Sequence, residues 1–171
     1  MSREVRMVPS NWIHPKDARG SYIPLHTDFT RCLSEWNEGK EKWDQGLVSD
    51  FQCGWKAKPK DINSETFEEW SGNKPKQEEY MPEWLPGECT HFMMYETCSE
   101  GTPISPAFAS PEELAHWLSD NGASAFGDMT ATFDQWLATI KRGRSISAVL
   151  SSHGLESGVT AEDRLEKENK S

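Results

Sequence analysis

Between Gln77 and Ile140 the chain has no lysine and no arginine. Eleven of its 28 carboxylates lie in that window, against none of its 18 lysines and arginines. They are Glu78, Glu79, Glu83, Glu88, Glu96, Glu100, Glu112, Glu113, Asp120, Asp128 and Asp134. The formal charge of −10 is therefore a property of one continuous stretch, and the remainder is close to neutral. Such a field repels nucleic acid and anionic lipid and attracts basic proteins and cations. Other absences narrow the reading further. No run approaches the roughly 20 apolar residues that span a bilayer. The segment Met1–Pro9 carries charges where a signal peptide needs an apolar stretch, so a soluble cytosolic protein with no membrane partner is expected. Cys32, Cys53, Cys89 and Cys98 form no CxxC pair. The spacing of Cys89, His91 and Cys98 matches none of the usual zinc patterns, so free thiols and no metal are expected. His14, His26, His91, His116 and His153 are dispersed, and no nucleophile elbow, phosphate loop or His-Glu-x-x-His occurs. The chain thus gives no sign of catalysis and calls for no cofactor.

What is present is aromatic. Eight Trp and seven Phe supply buried areas of about 150–250 Å² each, enough for a small core in an otherwise polar chain. Residues 1–143 read as one α+β domain: a small antiparallel hairpin or sheet packed by three to four helices, rich in loops. Within it, residues 1–26 form an extended arm, because Pro9, Pro15 and Pro24 each push the preceding residue away from helix. A short hairpin is expected around residues 16–20. Phe29, Leu33, Trp36 and Trp43 repeat at helical spacing, with Thr27 or Asp28 as cap and Gly46 as stop; Gly39 inside the pattern suggests a bend. Residues 50–63 read as a loop. Ser64 then caps a short helix through Phe67 and Trp70. Residues 90–98 are the best strand, and Ile104–Phe108 should return beside it, with Pro106 on an edge. Ser110-Pro-Glu-Glu113 starts a helix that buries Leu114, Trp117 and Leu118. Phe133, Trp136, Leu137 and Ile140 stripe the next, closed by Lys141, Arg142 and Gly143. Residues 144–171 are rich in Ser, Glu and Lys, and are read as a disordered tail, with a short amphipathic helix near Glu162–Lys167 as the alternative.

Three constellations are weighed for chemistry. Trp55 among Lys56, Lys58 and Lys60 has the makings of a base-stacking and phosphate contact; the simpler reading is a surface loop whose ring tucks back onto the core. Asp128 and Asp134 offer carboxylates for a cation or a phosphate ester; capping of the next helix by Asp128, Thr130 or Thr132 accounts for the same residues. Tyr80, Met81 and Trp84, set among acids and prolines, form a candidate aromatic docking patch.

From about Arg3 to Gly143 the chain also resembles a family of uncharacterised small proteins of tailed bacteriophages and prophages. The residues that carry the resemblance are Arg6-Met-Val-Pro-Ser-Asn-Trp-Ile-His-Pro-Lys16, Tyr80-Met-Pro-Glu-Trp84, Tyr95-Glu-Thr-Cys-Ser-Glu-Gly-Thr-Pro-Ile-Ser-Pro106, Pro111-Glu-Glu-Leu-Ala-His-Trp-Leu118 and Asn121-Gly-Ala-Ser-Ala-Phe-Gly-Asp-Met-Thr-Ala-Thr132. The resemblance implies production in the cytoplasm of an infected bacterial host. It brings no activity or catalytic residue with it. The expectation is a non-enzymatic phage accessory protein. It would bind and inhibit or redirect a basic or nucleic-acid-handling host protein, or a defence complex, through its eleven carboxylates in the manner of a DNA mimic, without touching nucleic acid itself. The alternatives are a metal-dependent enzyme using Asp128 and Asp134, and a virion or assembly component.

Overall fold

The computed structural model describes residues 2–50, 54–60, 62, 66–85, 87–97, 101–151 and 154–169. In chain order the elements are β1 (Arg3–Val8), α1 (Phe29–Asp44), β2 (Leu47–Ser49), β3 (Trp55–Ala57), α2 (Phe67–Ser71), a 3-10 turn (Gln77–Glu79), β4 (His91–Glu96), β5 (Thr102–Pro103), α3 (Pro111–Asp120), α4 (Phe133–Arg142), β6 (Arg144–Ser145), β7 (Ala148–Ser151), β8 (Gly154–Ser157) and α5 (Gly158–Glu168). The fold is α+β, with antiparallel sheets of two to four strands. It differs from the expected single domain plus tail. The chain forms two compact units, one from Met1–Pro24 with Glu83–Ser171 and one from Leu25–Pro82, each with its own apolar cluster.

In the first unit the sheet order is β5-β4-β1-β6, so the segment read as the start of an arm is a central strand. β1 pairs with β4 from Arg3 opposite Glu96 to Val8 opposite His91. The expected return strand over Ile104–Phe108 is displaced: β5 covers Thr102–Pro103, and Phe108 makes a single bridge to Phe92. Pro106 explains the interruption, since it has no N–H to give the ladder. Beside it the Ser105 hydroxyl, rather than a backbone carbonyl, accepts the Met94 N–H at 2.9 Å.

One face of the sheet is covered by α3 and α4. Both helices start as their sequences dictate. The Ser110 hydroxyl accepts from the Glu113 N–H with Pro111 next in line, and Thr132 and Gln135 form a reciprocal capping box. Gly143, at φ 90°, closes α4 in the left-handed conformation. Met94, Leu114, Leu118, Trp136 and Ile140 form the core between these elements, joined by Val159.

Val159 belongs to the segment read as a disordered tail, and that reading is corrected here. Residues 144–151 and 154–168 form β6, the β7–β8 hairpin and α5, and Val159 and Ala161 are fully buried. The segment reads as polar because it docks through small residues. A Cβ on Gly158 would lie 1.9 Å from the Ile146 carbonyl oxygen, so only glycine permits this approach. Its charges are also largely matched within the segment and the end of α4. Arg142 pairs with Glu162 and Glu166, Arg164 with Glu156 and Glu168, and Lys167 with Asp163.

In the second unit α1 runs unbroken through Gly39, where a bend was expected. Asp28 stands at its N-cap with φ 61° but its side chain caps nothing; it reaches Arg31 instead. Gly39 is there for proximity: a Cβ would lie 2.7 Å from the buried Phe67 ring. Phe67, Trp43 and Val48 form this unit's core, with Trp36 and Ile62 packed against it. Part of the expected 50–63 loop is strand β3, which pairs with β2. Thr66 caps α2 in a capping box with Glu69. The expected cap, Ser64, lies outside the described residues.

Two stability predictions follow from these packings. Deleting the residues after Arg144 strips Val159 from the core; comparison with large-to-small core substitutions puts the loss at about 3 kcal/mol and the fall in Tm at roughly 10 °C. Gly158→Ala should approach the same loss, and an unchanged melting curve for either variant would contradict the docking of α5. Gly39→Ala should destabilise the second unit although alanine favours helix by about 1 kcal/mol, because overpacking costs about 1–3 kcal/mol. In a Phe67→Leu background the same substitution should lose its penalty, as a double-mutant cycle by denaturant unfolding will read.

Candidate functional site

The segment after β1 folds into a small loop whose geometry is set locally. The Asp17 carboxylate accepts the Arg19 and Ser21 N–H groups, both at 2.9 Å, and Gly20 turns with φ 85°. Lys16 bridges to Tyr22 and lays its ammonium over the Tyr22 ring at 4.6 Å. The short hairpin expected at residues 16–20 is thus present. It holds Trp12, Ile13, His14, Lys16 and Tyr22 along one wall of a cleft of about 470 Å³, whose opposite wall is Met93, the loop from Pro103 to Ala107 and Trp117 of α3. Ile13 is 84% exposed at this wall of the cleft.

Beneath the cleft lies a buried polar chain centred on Tyr95 of β4. The Trp12 indole N–H donates to the Tyr95 hydroxyl at 3.2 Å. His14 sits between that hydroxyl, 3.2 Å from Nδ1, and the Ile23 carbonyl, 2.6 Å from Nε2. A carbonyl only accepts, so Nε2 carries the proton and Nδ1 is an acceptor facing the Tyr95 hydroxyl, whose proton is shared between Nδ1 and the Met93 sulfur, 3.4 Å away. The Arg6 guanidinium lies over the Tyr95 ring at 4.5 Å and is held by Glu4 at 2.9 Å. Burial holds the His14 pKa below its ordinary value, against the Ile23 hydrogen bond, which raises it, and with help from Arg6. Burial likewise pushes the Tyr95 phenol up. Both groups are therefore neutral at pH 7, and both ring nitrogens of His14 are engaged. The chain is a strut that fixes Trp12 and the loop on the sheet, and it offers no free base.

The carboxylates of the acidic window do not share one place. Glu78 and Glu79 belong to the second unit, in the 3-10 turn, and both are exposed. Glu83, Glu88, Glu112, Glu113, Asp120, Asp128 and Asp134 are exposed in the first unit. Glu96 is buried on β4 opposite Arg3, so it adds nothing to an outer face. Glu100 lies outside the described residues. Lys141 approaches Glu112 at 3.6 Å, while Glu88, Glu113, Asp120 and Asp128 have no ion pair among the described residues. Thr132, not Asp128 or Thr130, caps α4. Among the described residues no group of three metal-ligating side chains comes together.

The charged side chain that lines the cleft is Lys16; the acids of α3 are not among its lining residues. Glu113 and Asp120 stand four residues before and three after Trp117, on the same stripe of α3, and both are exposed. The expected Tyr80–Met81–Trp84 patch divides between the units. Tyr80 packs on His26 and Phe29 and Met81 is buried in the second, whereas Trp84 stands edge-on to Trp12, 5.0 Å away, in the first. The contribution of Trp12, Ile13, Tyr22 and Trp117 escapes sequence reasoning, because they are brought together from an irregular loop and a helix. The one signal was the arm's surplus of apolar residues among prolines.

Comparison of the chain with protein-family models, with curated proteins and with solved structures gives no match. No helix among the described residues is long and apolar enough to cross a membrane.

The state of His14 gives a pH test. Its folded pKa lies below the ordinary 6.5, so the unfolded chain takes up the proton first. The stabilisation is complete above pH 6.5 and is lost as the pH falls through the folded value. Unfolding of the wild type between pH 7.5 and 5 should show that decline, and His14→Gln, although less stable at pH 7.5, should show a shallower one. Equal slopes would mean that His14 is not buried neutral.

Proposed function

We propose that this protein acts by binding another protein rather than by chemistry, and that the contact is an apolar segment of the partner, flanked by basic residues, seated in the Trp12–Trp117 cleft. The observation that carries the reading is an open aromatic cleft whose lining histidine, His14, is engaged at both ring nitrogens; Trp117 of its lining shares α3 with Glu113 and Asp120, which have no ion pair among the described residues. Ring faces such as those of Trp12, Tyr22 and Trp117 supply rigid contact area at low entropic cost, the usual make-up of a binding hot spot. Exposed carboxylates on the same helix steer basic partners and disfavour nucleic acid.

A row of charge that copies a duplex has less support. B-DNA presents a charge about every 1.7 Å of axis, whereas Glu112 and Asp120, eight residues apart on α3, are separated by about 12 Å of helix rise. That exceeds the roughly 10 Å screening length at 0.1 M salt. In biological terms the reading is a phage accessory protein, working stoichiometrically in the cytoplasm of an infected bacterium on a host nucleic-acid-handling or defence protein.

The test is affinity capture from host lysate with matched variants. Partners retained by the wild type should be lost with Ile13→Asp and with Trp117→Ala, the latter by about 2 kcal/mol, or roughly 30-fold, as for a hot-spot residue. Glu113→Gln with Asp120→Asn should weaken capture a few-fold and flatten its salt dependence. A partner set indifferent to all these changes would refute the cleft as the binding surface.

A further inference from the structure

The second unit holds a different cleft, of about 270 Å³, between α1, the β2–β3 hairpin and α2. Its walls are the rings of Trp43, Trp55, Trp70 and Phe67 with the aliphatic Leu47 and Val48, and its mouth carries the carboxylates of Glu35 and Glu38. Trp55 and Trp70 are 39% and 43% exposed, far more than a tryptophan needs for packing alone. Trp70 lies 6.0 Å from Trp43 with the planes 31° apart, so the space between the rings is too narrow for a flat group to intercalate.

We propose that this cleft is a receptor for the ammonium-tipped side chain of a lysine on a partner protein. Three observations converge on that chemistry. The first is the lining: π faces carry negative quadrupole and attract cations, and aliphatic walls suit a tetramethylene stem. The second is charge. Glu35 is already paired with Arg31 at 2.9 Å, but Glu38 makes no ion pair among the described residues although Lys42 follows one turn later. The third is internal: this cluster already accepts ammonium groups of its own chain. Lys58 Nζ sits 3.3 Å from the Trp43 ring centroid and Lys74 Nζ 5.8 Å from that of Trp36, and neither lysine lines the cleft. An anion meets Glu35 and Glu38, and a neutral apolar group forgoes the attraction of ring and carboxylate alike. The volume falls below the roughly 300–1,000 Å³ of sites for drug-sized ligands, which favours one side chain over a whole small molecule. The proposal does not rest on the function argued above, since it concerns the other unit and other residues.

The test uses the full chain labelled with ¹⁵N, reading the indole N–H signals of Trp55 and Trp70, assigned through Trp55→Phe and Trp70→Phe. The probes are the blocked tripeptides acetyl-Gly-Lys-Gly-amide and its counterparts with norleucine, Nζ-acetyl-lysine or arginine. The lysine peptide should shift both signals saturably, with at least tenfold weaker binding of the norleucine and acetyl-lysine peptides. Glu38→Gln should weaken the lysine peptide several-fold, Glu41→Gln should not, and Trp117→Ala should have no effect. Equal binding of norleucine would make this an apolar groove only, preference for arginine would reassign the occupant, and no response to any probe would remove the site. Trp55→Ala, at an exposed position, serves as a second variant whose spectral dispersion reports directly on folding; retention of the lysine response in it would also overturn the proposal.

Discussion

The pairing of β1 with β4 is the constraint on which the first unit depends. It places two arginines, Arg3 and Arg6, in a central strand where they are 1% and 8% exposed. An unpartnered guanidinium there would be prohibitive. Arg3 donates to the Ser124 carbonyl and hydroxyl at 2.9 and 3.1 Å, tying the strand to the loop between α3 and α4. Arg6 bonds Glu4 and covers the Tyr95 ring. Tyr95 in turn holds Trp12 and His14, and with them the loop that makes one wall of the cleft. The cleft is therefore a consequence of how a polar strand is satisfied in the middle of a sheet. A fully apolar β1 would pack as well, but Tyr95 would lose the cation over its ring, and the loop would be less closely tied to the sheet.

That arrangement also explains what was legible in the sequence. The helices α3 and α4 were, because their determinants are local: Ser110-Pro111 and Thr132 with Gln135 act within one turn, and Leu114, Leu118, Trp136 and Ile140 keep helical spacing. The same locality made the 16–20 hairpin readable through Asp17 and Gly20. β1 was not, since Arg-Glu-Val-Arg-Met-Val shows no alternation and its charges are matched by residues as distant as Ser124. For α5 a short helix near Glu162–Lys167 was legible, but its docking was missed, for the opposite reason. Hydropathy weighs large apolar groups, and this helix docks through Gly158, Val159 and Ala161, where closeness of approach replaces side-chain bulk. Gly39 is the same case in the second unit: propensity marks it as a weak point, while the Phe67 ring makes it a contact.

The acidic window was legible as charge but not as shape. Its outcome depends on where the basic groups after Ile140 go. Arg142, Arg164 and Lys167 are drawn to Glu162, Glu166, Glu156, Glu168 and Asp163, so the C-terminal segment largely neutralises itself; Lys141 approaches Glu112 of the window at 3.6 Å. Most of those pairs are partly exposed and individually worth little. Their larger effect is on the field, because each arginine held by α5 is one fewer cation facing Glu113, Asp120 or Asp128. The folding of the C-terminal segment and the potential of the acidic window are thus linked: in the docked segment Arg164 and Lys167 stay with carboxylates of that segment, and Arg142 of α4 is held by Glu162 and Glu166.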